Sequence, residues 1–152
     1  MVFRTALFWP IFFALSCTTK FTPDQSKPTI SNKNISFLTP KGPLAFQVSI
    51  ADTEIARQKG LMLVKQLAPN AGMLFIFNES SVHTFWMKNT LIPLDMIFMD
   101  NNWIVVGIIE NATPESEEPR SVPLPSRYVL EINGGLSKQL GINIGVKGIY
   151  DF

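Results

Sequence analysis

The sequence predicts an all-β domain, a sandwich or a partly open barrel with one or two short helices. Three observations predict it. About seven or eight short segments either alternate apolar with polar residues or run continuously apolar, the two signatures of strands. Turn clusters punctuate them, Thr39-Pro40-Lys41-Gly42-Pro43 and Asp100-Asn101-Asn102 above all. One segment alone, residues 52–60, carries helix signals at both ends, whereas a parallel α/β sheet needs helices alternating with its strands.

In order, residues 35–38 form a short first strand, ended by the Thr39–Pro43 cluster. Leu44, Phe46, Val48 and Ile50 then alternate with Ala45, Gln47 and Ser49, the pattern of a half-buried strand. In residues 52–60, Asp52 is placed to cap the free amide donors and Glu54 lies in the first turn. Arg57 and Lys59 fall in the last turn, and Gly60 can take the left-handed conformation that ends the helix. Residues 73–77 are a compact apolar run, read as a buried strand, and residues 78–81 a turn. Residues 83–90 read as the next strand, with Trp86, Lys88 and Thr90 on one face and Phe85, Met87 and Asn89 on the other. Pro93 forbids regular pairing at its own position and implies a bend or an edge. Residues 94–99 and 103–109 are strong strands around the Asp100-Asn101-Asn102 turn, where Asn and Asp tolerate positive φ. Residues 110–127, with Pro114, Pro119, Pro123 and Pro125, have no usable period and read as a long loop. A strand carrying Glu131 follows over 128–132, then a short helix or turn over 134–141, then a closing strand within 142–152.

Composition narrows the function classes. The chain has 152 residues, 46% of them hydrophobic and 16% charged, which suits one globular domain. Net charge is +1, and Arg4 is the only charge in residues 1–16, so the remainder balances 12 basic against 12 acidic groups. A nucleic-acid binder needs a basic field that is missing here. One His and one Cys leave too few ligands for an ordinary zinc site and exclude a disulfide within the chain. The Glu115-Ser116-Glu117-Glu118 run lacks the ligand spacing of a known calcium loop, so no metal or cofactor is expected.

The N-terminus reads as an address. Arg4 precedes an apolar run over residues 6–15, short for a membrane span and ending in small residues, as in a signal peptide of residues 1–16. Ala14-Leu15-Ser16-Cys17 resembles a bacterial lipobox, with Ala14 where Leu is usual; the cleaved chain would carry its lipid on Cys17. Residues 17–34 then serve as anchor and polar tether, and residues 35–152 as the domain. Thr18 after the Cys resembles an outer-membrane sorting signal in a two-membrane bacterium. The expected location is the cell envelope, membrane-anchored, in the outer membrane or periplasm of such a host.

The densest chemistry lies in Phe85-Trp86-Met87-Lys88-Asn89-Thr90-Leu91-Ile92-Pro93-Leu94-Asp95, which sets five polar or amphipathic side chains among apolar ones. Burying unpaired polar groups is costly, so these either satisfy one another or face a ligand. The candidate constellation is Arg57, Trp86, Lys88, Asn89, Asp95 and Glu131. Trp86 offers a stacking face, Asn89 both donates and accepts, and Arg57 or Lys88 suits anionic or hydroxyl-rich groups. That set fits a saccharide or a cell-wall fragment. Asp95 with Glu131 would make a carboxylate pair for hydrolysis. The structural reading pairs Lys88 with Asp95 and Arg57 with Glu131, places Trp86 in the core and gives an assembly role in the envelope. Binding is favoured over catalysis. His83 is a lesser candidate, and Met62, Met73, Met87, Met96 and Met99 read as core filler.

Several segments together resemble one family. They are Ala56-Arg57-Gln58-Lys59-Gly60-Leu61-Met62, Gly72-Met73-Leu74-Phe75-Ile76-Phe77, the stretch over residues 85–95, Glu110-Asn111-Ala112-Thr113-Pro114, Val129-Leu130-Glu131-Ile132-Asn133 and Gly141-Ile142-Asn143-Ile144-Gly145. They resemble the bacterial and archaeal domain of unknown function 192 family, over about residues 44–152. The resemblance implies a compact, jelly-roll-like β domain, often exported, and no particular activity. Where the family commonly has an acidic residue after the last Gly, this chain has Val146, so no carboxylate role is carried over there.

Overall fold

The computed structural model describes residues 33–150. The expected leader, Cys17 and the tether as far as residue 32 lie outside the described residues, as do residues 151–152. In chain order the elements are β1 (Lys33–Thr39), β2 (Gly42–Ala51), α1 (Glu54–Lys59), β3 (Ala71–Ser81), β4 (Leu94–Met99), β5 (Val105–Ala112), β6 (Ser126–Asn133), α2 (Leu136–Leu140) and β7 (Gly148–Tyr150). The domain is all-β, as the sequence predicts. All seven strands join one sheet in the order β5-β4-β6-β3-β2-β1-β7.

The sheet is curled, because its two edges meet. Ile104, just before β5, bridges Lys147, just before β7. Val105 N–H donates to Val146 O at 2.9 Å, and Gly148 N–H donates to Trp103 O at 2.8 Å. The result is a half-barrel drawn together at one end, which limits exposed strand edge. Every named pairing is antiparallel except β2 with β3. That parallel pair needs a crossover, and α1 with the loop after it supplies one.

Strand alternation sorts the core into two clusters. Ile35, Phe37, Phe46, Val48, Leu74, Ile97, Val105, Leu130 and Ile132 come from β1 to β6 and fill the inside of the curl. Met73, Phe75, Met96, Phe98 and Val129 point outward from β3, β4 and β6, and are roofed by Leu61, Val64, Met87 and Val122. The central strands are thus buried on both faces, which is why they read as unbroken apolar runs. Val122 packs directly over Gly107, where an added Cβ would lie 2.6 Å from Val122 Cγ1.

Several local expectations are corrected. The cap of α1 is Thr53, whose Oγ1 accepts from Ala56 N–H at 3.2 Å; Asp52 lies outside the helix. The expected turn over 78–81 is a continuation of β3, which regains pairing at Ser81–Ser126 after a register shift. The turn after β4 is organised by the Asp100 carboxylate, which accepts from Asn102 N–H and Ile104 N–H at 2.8 and 2.9 Å. Its positive φ falls on Trp103, at 66°, not on an Asn or Asp.

The largest correction concerns residues 83–90, which are not a strand. Only Phe85 pairs, with Arg120, and the chain turns at Lys88 and Asn89 with Asn89 at φ 54°. The segment is clasped to the long loop: Met87 N–H donates to Ser116 O at 2.8 Å, and Glu115 N–H donates to Thr90 O at 3.0 Å. It also holds the loop after α1, since Leu63 N–H donates to Asn89 O at 2.8 Å.

Candidate functional site

Two acidic side chains sit in the middle of apolar strands, and pairing places them close in register. Asp95 faces Ile132 across β4 and β6, and its neighbour Met96 faces Glu131. Adjacent positions on a strand point to opposite faces. Asp95 and Glu131 therefore lie on opposite sides of the sheet and form no carboxylate pair.

Asp95 is fully buried and fully engaged. Its Oδ1 accepts from Asn111 N–H and Gly135 N–H, both at 2.7 Å. Its Oδ2 accepts from Ser137 N–H at 2.8 Å and from the Ser137 hydroxyl at 2.6 Å. The carboxylate thus serves as the cap that α2 does not obtain from Gly135. It fastens β5 and α2, with the Gly135 N-cap, to β4, and makes no pair with Lys88.

Glu131 is the opposite case. It is 4% exposed, on the outer face between Met73 and Met96 in register. Among the described residues no donor and no cation meets its carboxyl, and Arg57 does not pair with it. Burial pushes its pKa up to about 8, so it is a neutral acid at neutral pH.

Glu131 lines a pocket of about 610 Å³. One wall is α1 and its exit, through Arg57, Gly60 and Leu61. The next is β3, through Phe75 and Phe77, and facing them are His83, Phe85, Trp86 and Thr90. Phe85 is fixed edge-on between Phe75 and Phe98, with ring centroids at 5.2 and 5.6 Å. His83 stacks on Phe77 at 3.5 Å, and burial holds the imidazole below its ordinary pKa. Arg57 lies over Phe77 at 5.3 Å. Its Nη1 donates to Asp52 O and Ile76 O at 2.8 and 2.9 Å, and its Nη2 pairs with Glu54 at 3.2 Å.

Trp86 is 52% exposed at the mouth, so it is not a core residue. Lys88 stands beside it, 5.4 Å from the indole ring and 3.4 Å from Glu117. Asn89 is exposed, and its left-handed backbone holds the turn. Of the six residues singled out, Arg57, Trp86 and Glu131 meet at the pocket. Lys88 and Asn89 flank it, and Asp95 lies elsewhere. The walls Phe75, Phe77, Phe85 and Thr90 escaped notice because each reads as ordinary core. Among the described residues, no group of three or more His, Cys, Asp or Glu side chains is placed to hold a metal ion.

A curled seven-stranded sheet with two short helices and a recess on its outer face defines a small all-β domain. The family model DUF192, described as "Uncharacterized ACR", matches residues 36–147, and the chain belongs to that family. A protein of unknown function from Novosphingobium aromaticivorans DSM 12444 is similar in structure, with 40% identity and a TM-score of 0.74 over 76% of this chain and 83% of its own. A Sinorhizobium meliloti 1021 protein, provisionally described as a transcription regulator, has 38% identity and a TM-score of 0.75 over 78% of this chain and 92% of its own. No curated protein matches.

Proposed function

We propose that the protein is an exported, lipid-anchored binding protein of the cell envelope, and that its pocket takes a small polar ligand, a saccharide or a cell-wall fragment. The observation that carries this reading is the carboxyl of Glu131, a residue 4% exposed, which opens on a pocket wall without a protein partner among the described residues. A buried polar group without a partner is costly, and a ligand that supplies the partner recovers that cost. Trp86 at the mouth offers an exposed ring for the apolar face of a sugar. The leader and Cys17 support export and anchoring. A carboxylate-pair hydrolase loses its support, because Asp95 is saturated on the other face. The description of the Sinorhizobium protein suggests nucleic-acid work, but the balanced charge of this chain after residue 16 supplies no basic field for it.

The test is a thermal-shift screen of the mature chain against oligosaccharides and soluble cell-wall fragments. A ligand is expected to raise the wild-type melting temperature, and Trp86→Ala is expected to remove that rise while staying folded. If no fragment shifts the wild type, the binding reading fails. Anchoring is checked separately: Cys17→Ser is expected to abolish incorporation of labelled palmitate and release the protein from membranes.

A further inference from the structure

The pocket has a charge problem that only some ligands solve. Among the described residues, the carboxyl of Glu131 meets no N–H, hydroxyl or cation. Two of the nearby cations are engaged elsewhere, while Lys59 of α1 lines the pocket at the helix end. Arg57 binds two backbone oxygens and Glu54, and Lys88 pairs with Glu117. The walls are aromatic, and aromatic faces attract cations. Two such contacts already exist there, Arg57 over Phe77 and Lys88 over Trp86.

We propose that the ligand bears a basic amine, which Glu131 meets as a carboxylate within the aromatic walls of the pocket. This rests on the binding reading above and narrows its ligand class, to amine-bearing sugars or wall fragments. A hydroxyl would make only a neutral hydrogen bond with the acid. An ammonium makes a charge-assisted one, roughly twice as strong. The proton balance is simple. The ligand enters as the ammonium, the Glu131 carboxyl releases one proton to solvent, and an ion pair replaces a neutral acid. The other titratable groups on the pocket are Glu54, Arg57 and Lys59 of α1 and His83 of the facing segment; β3 contributes none. His83 is held toward its neutral form, so it does not oppose the incoming cation.

The experiment follows the carboxyl directly. The mature chain is labelled at the glutamate side-chain carboxyl carbon, and the Glu131 signal is assigned by its loss in Glu131→Gln. It is titrated by NMR in ethanolamine hydrochloride, in glucosamine oligomers, and in the same ionic strength of sodium chloride. The expected result is a fall of about one pH unit or more with the amines, equivalent to about tenfold tighter binding to the ionised form. Trp86→Ala, which keeps Glu131, is expected to weaken the effect. No shift with either amine overturns the amine inference. Equal binding of N-acetylated and free-amine oligomers, retained in Glu131→Gln, would overturn it too, while leaving a saccharide pocket intact. An ethanolamine shift with no oligosaccharide binding of either kind would uphold the amine and reject the saccharide.

Discussion

Asp95 and Glu131 are two buried acids on neighbouring strands, set in similar apolar sequence, and the molecule treats them in opposite ways. Asp95 has four donors within 2.8 Å and no open space. Glu131 has a pocket and, among the described residues, no donor. A buried carboxylate whose lone pairs are all met by fixed donors holds a fold together. A carboxyl buried without donors stays neutral and keeps its hydrogen-bonding capacity for whatever arrives. The difference separates a structural acid from a candidate binding acid more sharply than burial does, since both are buried.

The largest expected effect breaks the first half of that contrast. Asp95→Asn puts an amide against donors that all need an acceptor, and it unfastens α2 and the end of β5. A loss of about 4 kcal/mol is expected from urea unfolding at pH 7. An effect below about 1 kcal/mol would show that the four bonds are not holding these elements.

The second test breaks the other half, and its sign is opposite. The folded-state pKa of Glu131 is raised, so the folded chain keeps this proton in the window between the ordinary value of 4.5 and about 8, where the unfolded chain has released it. Stability from this group therefore falls as pH rises through that window. Glu131→Gln, which mimics the neutral acid, is expected to match wild type near pH 4.5 and to exceed it by about 3 kcal/mol near pH 7. Parallel stability–pH curves for the two proteins would mean that Glu131 finds a partner in solution.

The smallest effect sharpens the comparison at the pocket wall. Thr53→Ala removes the cap of α1, the helix that carries Arg57, at a cost of about 1 kcal/mol in thermal unfolding. Because Asp95 lies on the other face, this change should add independently to Asp95→Asn in the double variant.

Much of the fold was legible because strand alternation is local. The expected strand over 94–99 coincides with β4, and the central apolar runs coincide with strands buried on both faces. The polar stretch around Trp86 was legible as unusual and misread in shape. Its period-two pattern matched a strand, but its carbonyls and amides bond to the loops at 61–63 and 115–120 instead of to a neighbouring strand. Half of the candidate constellation meets at the pocket for the same reason. Arg57, Trp86 and Glu131 are far apart in sequence, and no local pattern states which faces they share.

By itself the sequence determined the all-β class, a short helix within residues 52–60 with its Gly60 exit, the turn after Met99 and the presence of two acids inside apolar strands. These follow from side-chain periodicity and backbone preference, which act over a few residues. Only the tertiary structure decided which acid is satisfied. Leu94-Asp95-Met96 and Leu130-Glu131-Ile132 are alike as sequence. They differ because α2 and the Asn111 backbone come to rest on one face of the sheet, while a recess walled by α1, β3 and the Trp86 segment is left over the other. Hydrogen-bond donors delivered by distant chain, not the acid's own neighbours, set the role of each carboxyl.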